Sequence, residues 1–324
     1  MNRLAVIKST GAYLPEQIIT NDDLAKKIDT SDEWITSRTG IKQRHQAAAG
    51  ENCSDLATRA AAQALANAGM AIDGIDLILV ATTTPDRSMP STACLVQKNL
   101  GMSHGMAFDL QAVCSGFVYG LSVADAMIAN GTVQSVLLIG AETMTRLLNW
   151  EDRNTCVLFG DGAGAVILKA EIGEDKATQS GLLAHYLRSD GNFSELLQTD
   201  GGVSLTGEAG HITMNGREVF RHAVTNISEA ILAVLSQTGL TIADIDWFVP
   251  HQANKRILAS VANRLGLDEN KILVTVDRHA NTSAASIPLA LHEAVTNGRV
   301  QKGQLVLFEA MGSGLTWGAS LARW

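Results

Sequence analysis

Ile75-Asp76-Leu77-Ile78-Leu79-Val80 and Ile245-Asp246-Trp247-Phe248-Val249-Pro250 share one pattern, an Ile-Asp pair followed by a short apolar run. They lie 245 − 75 = 170 residues apart. A second pair follows in the same order: Asn130-Gly131-Thr132-Val133-Gln134 and Asn297-Gly298-Arg299-Val300-Gln301, 297 − 130 = 167 residues apart. Each Asn-Gly-x-Val-Gln leads into another apolar run, Val136–Ile139 in one half and Leu305–Phe308 in the other. Two matches in one order at nearly one offset read as duplication of a single layered unit. Residues 1–172 and 173–324 are expected to be the two halves.

The segments between fit this picture. Leu77–Val80, Val136–Ile139, Ala165–Leu168, Trp247–Val249 and Leu305–Phe308 read as buried strands. Asp55–Ala68, Ala93–Leu100, Gly116–Ala129, Val219–Leu235 and Lys255–Leu265 read as helices. Such alternation predicts an α/β fold of stacked layers. The chain has 324 residues, 46% hydrophobic and 18% charged, with 29 Gly and only 5% aromatic residues. Small side chains at that frequency suit close packing of helices on sheets.

The net charge of −8, with no long Lys/Arg cluster, argues against nucleic-acid binding. No apolar stretch approaches the ~18 residues of a membrane span, and the apolar run after Met1 is too short for a secretory leader. A cytoplasmic location is expected. Cys53, Cys94, Cys114 and Cys156 form no CxxC and no metal-ligand spacing with His, so four free thiols and no metal site are expected.

Cys114 follows a predicted strand, Met106–Leu110, and precedes the helix beginning at Gly116. A thiol at a helix N-terminus meets the positive end of the helix dipole, which should lower its pKa. The free N–H groups there could hold an oxyanion. A lone cysteine is more often a buried hydrophobe. His251, in Pro250-His251-Gln252-Ala253-Asn254, sits where a buried strand ends and a helix begins, a place where α/β folds put chemistry. It could donate a hydrogen bond or act as a base. Asn281 by itself reads as a helix N-cap before an Ala-rich run. Adding 167 to 114 gives 281, which makes Asn281 the expected counterpart of Cys114 across a pseudo-twofold axis. Ser31–Arg38 reads as an N-capped helix with Trp34 and Arg38 on one face, either a surface cation–π pair or a platform for a purine. Met311-Gly312-Ser313-Gly314 lacks the lysine of a phosphate loop and reads as a tight turn offering N–H groups.

Taken together, these segments resemble the β-ketoacyl–acyl carrier protein synthase III family of the thiolase superfamily. The resemblance spans the whole chain. It rests on Thr30–Ile35 with Arg38–Ile41, Ala112–Phe117, Phe159–Ala165, Pro250–Asn254, Asn281–Ser283 and Gly314–Gly318, in that order. It implies a thiolase-like five-layered αβαβα fold built from two duplicated halves, and a homodimer. It implies a Cys114, His251 and Asn281 triad, with an oxyanion hole from the N–H groups of Cys114 and Ser313. Trp34, Arg38 and Arg153 would hold the adenine of CoA. Met214, Gly216, Phe220 and Asn254 would line the pantetheine tunnel. Gln252, Ala253, Asn254, Lys255, Arg256 and Arg221 would meet the acyl carrier protein, and Met89 would reach the partner subunit's acyl pocket. Ser313, Met89 and Arg217 depart from the residues often found at those places.

The expected activity is decarboxylative condensation of a short acyl-CoA with malonyl–acyl carrier protein through an acyl-Cys114 intermediate, starting fatty acid synthesis. No cofactor is expected, since acyl-CoA is a substrate. Two other readings compete: a related acyltransferase using the same triad on another acceptor, and a non-catalytic partner subunit. Asn281 and Arg256 favour the first activity, and Cys114 argues against the non-catalytic form.

Overall fold

The computed structural model describes residues 2–173 and 180–324. Its strands are β1 (Asn2–Tyr13), β2 (Gln17–Thr20), β3 (Gln43–Gln46), β4 (Leu77–Ala81), β5 (Met106–Leu110), β6 (Ser135–Thr143), β7 (Asp161–Gly173), β8 (Gly181–Ser189), β9 (Leu197–Thr199), β10 (Ile212–Met214), β11 (Trp247–Pro250), β12 (Leu305–Gly312) and β13 (Thr316–Arg323). Its helices are α1 (Asn21–Ala25), α2 (Asp32–Thr39), α3 (Cys53–Ala68), α4 (Thr92–Asn99), α5 (Gly116–Ala129), α6 (Gly216–Thr238), α7 (Lys255–Leu265), α8 (Val276–His279) and α9 (Ser286–Thr296).

Two sheets dominate, one ordered β1-β7-β6-β4-β5 and the other β11-β12-β13-β8. Between them lie α5 and α9, each touching both sheets. Helix α3 covers the outside of the first sheet and α6 the outside of the second. The result is helix, sheet, helix, sheet, helix. A strand covered on both faces should be apolar throughout, and all five residues of β4 are buried. The stripe Leu56, Ala57, Ala60, Ala61, Ala64 and Leu65 of α3 is buried against the first sheet. Contact there is so close that a Cβ at Gly11 of β1 would lie 2.2 Å from the Ala60 carbonyl oxygen.

The strand and helix expectations hold, most with slightly longer elements. Cys53, Cys114 and Cys156 are buried free thiols, and Cys94 is partly exposed. No helix among the described residues is long and apolar enough to cross a membrane.

The duplication is real, but its offset at the catalytic turn needs correcting. A three-residue 3-10 turn precedes both middle-layer helices, Val113–Ser115 before α5 and Ser283–Ala285 before α9. Val113 (φ 48°) and Ser283 (φ 49°) open those turns in the same left-handed conformation. Their separation is 283 − 113 = 170, the same as between the helix starts (286 − 116) and between β4 and β11 (247 − 77). The backbone counterpart of Cys114 is therefore Ala284, not Asn281. The 167 offset arises because α9 is three residues shorter than α5 (11 against 14), and a longer connection then restores 170 at β12.

Candidate active site

Cys114 sits in the 3-10 turn between β5 and α5. The second half straps this turn: Ser115 Oγ donates to the Thr316 carbonyl (2.9 Å) and Thr316 Oγ1 to the Ala112 carbonyl (3.0 Å). Strand β12 passes so close that a Cβ at Gly312 would lie 2.7 Å from the Cys114 nitrogen. Cys114 is buried, and burial pushes its thiol up to about 12, with a hydrogen bond from Ser283 pulling the other way. This runs against the expectation of a thiol held below its usual range by the helix terminus. Desolvation of the thiolate outweighs what its neighbours return.

His251 ends β11 and is also buried. Its Nδ1 lies 2.7 Å from Ser286 Oγ, and the same oxygen accepts the Gln252 N–H (3.3 Å). The Ser286 proton finds its acceptor at Nδ1, so the ring proton belongs on Nε2. Burial lowers the His251 pKa to about 3, which keeps the ring neutral. It is therefore a donor through Nε2 and a poor base. Asn281 is not a helix N-cap: Thr282 occupies the N-cap position of the 3-10 turn, with no side-chain capping bond, and Ala285 precedes α9. Its backbone pairs with Leu158 and Gly160, and its Oδ1 accepts the Ser283 N–H (2.9 Å). Fixing Oδ1 in this way leaves Nδ2 as the end that can donate.

The three side chains meet. Cys114, His251 and Asn281 line one cavity of about 450 Å³. Trp34, Arg38 and Arg153 belong to the same cavity, as do Met214, Gly216, Arg217, Phe220, Ala253, Asn254 and Arg256. Ser31 caps α2 by accepting the Trp34 N–H (3.1 Å), as the sequence predicts. The guanidinium carbons of Arg38 and Arg153 lie 4.5 and 5.1 Å from the Trp34 ring centre. No ring fits between Trp34 and Arg153 at that distance. Arg153 is held at an exposed position by Asp29, donating to its backbone carbonyl (2.9 Å) and pairing with its carboxylate (3.2 Å).

A second cavity of about 240 Å³ opens on Cys114 from another side. Met144, Leu147, Phe159, Leu197 and Ile212 give it an apolar wall, and Ser313 adds its hydroxyl, which donates to the Leu197 carbonyl. The sequence reading misses this cavity, because its walls come from seven separate segments. Met89 lines neither cavity and is 81% exposed on this chain.

One carrier-protein assignment fails. Gln252 is wholly buried. Its Nε2 donates to the Pro250 and Leu273 carbonyls and its Oε1 accepts from Thr275 and Val276 N–H, all within 3.1 Å. With its amide saturated inside the protein, it holds the His251 turn and meets no partner. Asn254 caps α7 by accepting the Arg256 N–H (2.8 Å) and donates to the Arg38 carbonyl (3.3 Å). Lys255, Arg256 and Arg221 are exposed, Arg221 in an ion pair with Glu218 (2.7 Å).

The site thus has a buried thiol, two neutral donors aimed into one cavity, and an apolar recess behind the thiol. Together with the layered duplicated fold, it defines a thiolase-fold condensing acyltransferase. Two family models match, 3-oxoacyl-[acyl-carrier-protein (ACP)] synthase III over residues 108–191 and its C-terminal model over residues 235–324. The chain is 57% identical over 323 residues to β-ketoacyl-[acyl-carrier-protein] synthase III of Hyphomonas neptunium, covering 100% of each. It superposes on the Aquifex aeolicus 3-oxoacyl-[acyl-carrier-protein] synthase III crystal structure with a TM-score of 0.93 at 47% identity, over 99% of this chain and 100% of that one. The priming β-ketosynthase of the R1128 polyketide pathway matches at 32% identity with a TM-score of 0.91, over 99% and 97%. The chain belongs to the β-ketoacyl–acyl carrier protein synthase III family.

Proposed function

We propose that this enzyme condenses a short acyl-CoA with malonyl–acyl carrier protein, releasing CoA and CO2, and so begins fatty acid synthesis. The observation that carries this reading is the position of Cys114 where the two cavities meet. The larger cavity leads from the Trp34–Arg153 mouth to the thiol and suits a pantetheine arm. The smaller suits the acyl group that the thiol receives. Its limited volume favours a short chain, acetyl first.

In the first half-reaction the acyl carbonyl carbon bonds to Cys114 Sγ and the bond to the CoA sulfur breaks. The N–H groups of Cys114 and Ser313 are the proposed oxyanion donors. In the second, the malonyl thioester oxygen takes hydrogen bonds from His251 Nε2 and Asn281 Nδ2. Loss of CO2 leaves an enolate there, and preorganised neutral donors stabilise charge that develops only in the transition state. The enolate carbon then attacks the acyl-Cys114 carbonyl and the thiolate departs. No cofactor takes part.

Lys255, Arg256 and Arg221 form the proposed carrier-docking patch, with Ala253 and Asn254 at the tunnel mouth. Against a net charge of −8, attraction of an acidic carrier rests on this local patch. A homodimer is supported by the open edge of β5, which presents partly exposed Met106 and Phe108, since an uncovered apolar edge strand is a pairing site. In such a dimer the exposed Met89 would project toward the partner's acyl recess. The two halves, 1–172 and 173–324, are taken as the duplicated units, and the cytoplasm as the location.

The test is acylation by acetyl-CoA followed by intact-mass measurement of wild type and Cys114→Ala. Addition of one acyl group to wild type alone is expected. Equal labelling of both proteins overturns the assignment.

A further inference from the structure

Ser313 carries a side chain that the reaction above does not use. Its N–H is the proposed oxyanion donor, and a glycine would supply that N–H as well. The hydroxyl does something else: it donates to the Leu197 carbonyl. A serine hydroxyl has one proton to give, so this one is not available to the acyl group.

Leu197 belongs to a ribbon that stands apart from both large sheets. Strands β9 and β10 pair only with each other, Leu197 opposite Met214 and Thr199 opposite Ile212. Cys114, Phe159 and Leu197 line both cavities, so they form the boundary between tunnel and recess. Phe159 is tied to the body of the protein by its bridge to Asn281. Leu197 is on the ribbon, which also lends Gln198, Thr199 and Ile212 to the recess. Among the described residues, the bond from Ser313 is the only hydrogen bond joining residues 197–214 to the rest of the protein. Otherwise the ribbon is held by apolar contact, with Ile212 and Leu197 packed in one cluster with Met144 and Phe159. Such contact is non-directional and lets a wall slide, and a lone two-stranded ribbon is marginal by itself. The other end of the bond is fixed. Leu315 and Asp190 exchange backbone hydrogen bonds (2.9 and 2.8 Å), and Thr316 Oγ1 lies 3.0 Å from the Ala112 carbonyl and 3.1 Å from that of Ser313.

We propose that the Ser313 hydroxyl sets the length limit of the acyl group by latching the wall of the recess to the oxyanion turn. One residue then fixes both the donor to the thioester oxygen and the wall that faces the chain. The latched wall holds the recess at about 240 Å³. A longer chain must push Leu197 and Ile212 outward against the latch. A methylene that an apolar pocket refuses costs about 10-fold or more in rate. Without the latch the ribbon can retreat, and the longer chain gains apolar surface to bury. The Ser313 hydroxyl is thus a positioning group, whereas its N–H faces the reacting oxygen.

This inference rests on the acylation chemistry proposed above, and its test separates the two. Self-acylation by acetyl-, butyryl-, hexanoyl- and octanoyl-CoA is timed by intact mass. The reading is the octanoyl-to-acetyl rate ratio within each protein, in which a general loss of activity cancels. Ser313→Ala keeps the N–H and removes the hydroxyl, and it should raise the ratio about tenfold. Ser313→Gly makes the same deletion and carries the test if Ser313→Ala fails to fold. Ser313→Thr keeps the hydroxyl and should hold the wild-type ratio. Deuterium uptake across residues 197–214 should quicken about fivefold in Ser313→Ala, the worth of one net hydrogen bond, and should not change in α5. A wild-type ratio kept in Ser313→Ala and Ser313→Gly overturns the latch. So does an equal rise in Ser313→Thr, unchanged uptake in the ribbon, or a wild type that takes octanoyl as fast as acetyl. Failure of wild type to accept any of the four acyl groups overturns the condensing function instead.

Discussion

The turn before α5 and the turn before α9 share a backbone and differ in every side chain that does chemistry. At the common offset of 170, Cys114 faces Ala284, Ala81 faces His251 and Gly116 faces Ser286. Ala81 and Gly116 touch, since a Cβ on Gly116 would lie 3.0 Å from the Ala81 Cβ. His251 and Ser286 also touch, but as a ring nitrogen and a hydroxyl 2.7 Å apart. What both halves retain is structural. Asp76 accepts the Ser135 N–H (3.0 Å) and Asp246 accepts the Leu305 N–H (2.8 Å) at matching places. Duplication provided two matching pedestals. One holds the nucleophile and the other holds the donors that serve it. The two fit together closely: a Cβ at Gly140 of the first half would lie 2.3 Å from the Ala284 carbonyl oxygen of the second.

The halves also differ in their buried carboxyls. Glu142 on β6 is saturated with donors, whereas Glu309 on β12 is buried with its Oε2 unpartnered, and burial raises it to about 8. A carboxyl raised from about 4.5 in the unfolded chain leaves the folded state holding the extra proton. Its contribution to stability is then full below pH 4.5 and is lost as pH rises toward 8, at about 1.4 kcal/mol per pH unit. Chemical denaturation across that range should show the decline in wild type and a flatter profile in Glu309→Gln. An unchanged slope means that Glu309 is not the titrating group.

Next in size is the donor arm of the second half. Asn281→Ala should self-acylate at the wild-type rate and lose condensation by about 10²- to 10³-fold, the usual cost of one oxyanion donor. Separate assays of the two half-reactions decide it. Condensation at the wild-type rate would break the assignment of different tasks to the two turns. Gln252→Ala should cost roughly 2–3 kcal/mol of stability by leaving buried backbone groups without partners. Its KM for the carrier protein should stay that of wild type, and a raised KM with unchanged melting would return Gln252 to the docking surface.

Most of the fold was legible because its signals are local. The limits of α5, α7 and β5 follow from apolar runs and their punctuation alone. The repeat was legible too, but an alignment anchored on Asn130-Gly131 and Asn297-Gly298 carries the three-residue difference between α5 and α9 back into the catalytic turn. Anchored instead on Leu77 and Trp247, the same sequence would have paired Cys114 with Ala284 and pointed to Ser283 and Ser286. Glu142 carried a signal of its own, an acid directly after the apolar run Val136–Ala141, and buried acids are rare unless they have partners. The recess walled by Met144, Leu147 and Ile212 gave no signal, because apolar residues from distant segments look like ordinary core. The high thiol pKa was equally hidden, since a sequence shows a helix terminus but not how dry its surroundings are.

The smallest expected effect probes the comparison most finely. Ser286→Ala gives the second half a side chain closer to the Gly116 of the first. It removes the hydroxyl that donates to His251 Nδ1 and that accepts the Gln252 N–H. The imidazole then loses the bond that keeps its proton on Nε2, and the tautomer that presents a bare Nε2 lone pair to the malonyl oxygen gains population. A net hydrogen bond of about 1 kcal/mol corresponds to roughly a fivefold change in that balance. Condensation should slow by about that factor, while self-acylation, which makes no demand on Nε2, should hold its rate. Ser286→Thr keeps the hydroxyl and should recover most of the loss. Equal slowing of both half-reactions in Ser286→Ala would mean that Ser286 supports the turn as a whole rather than the proton on His251.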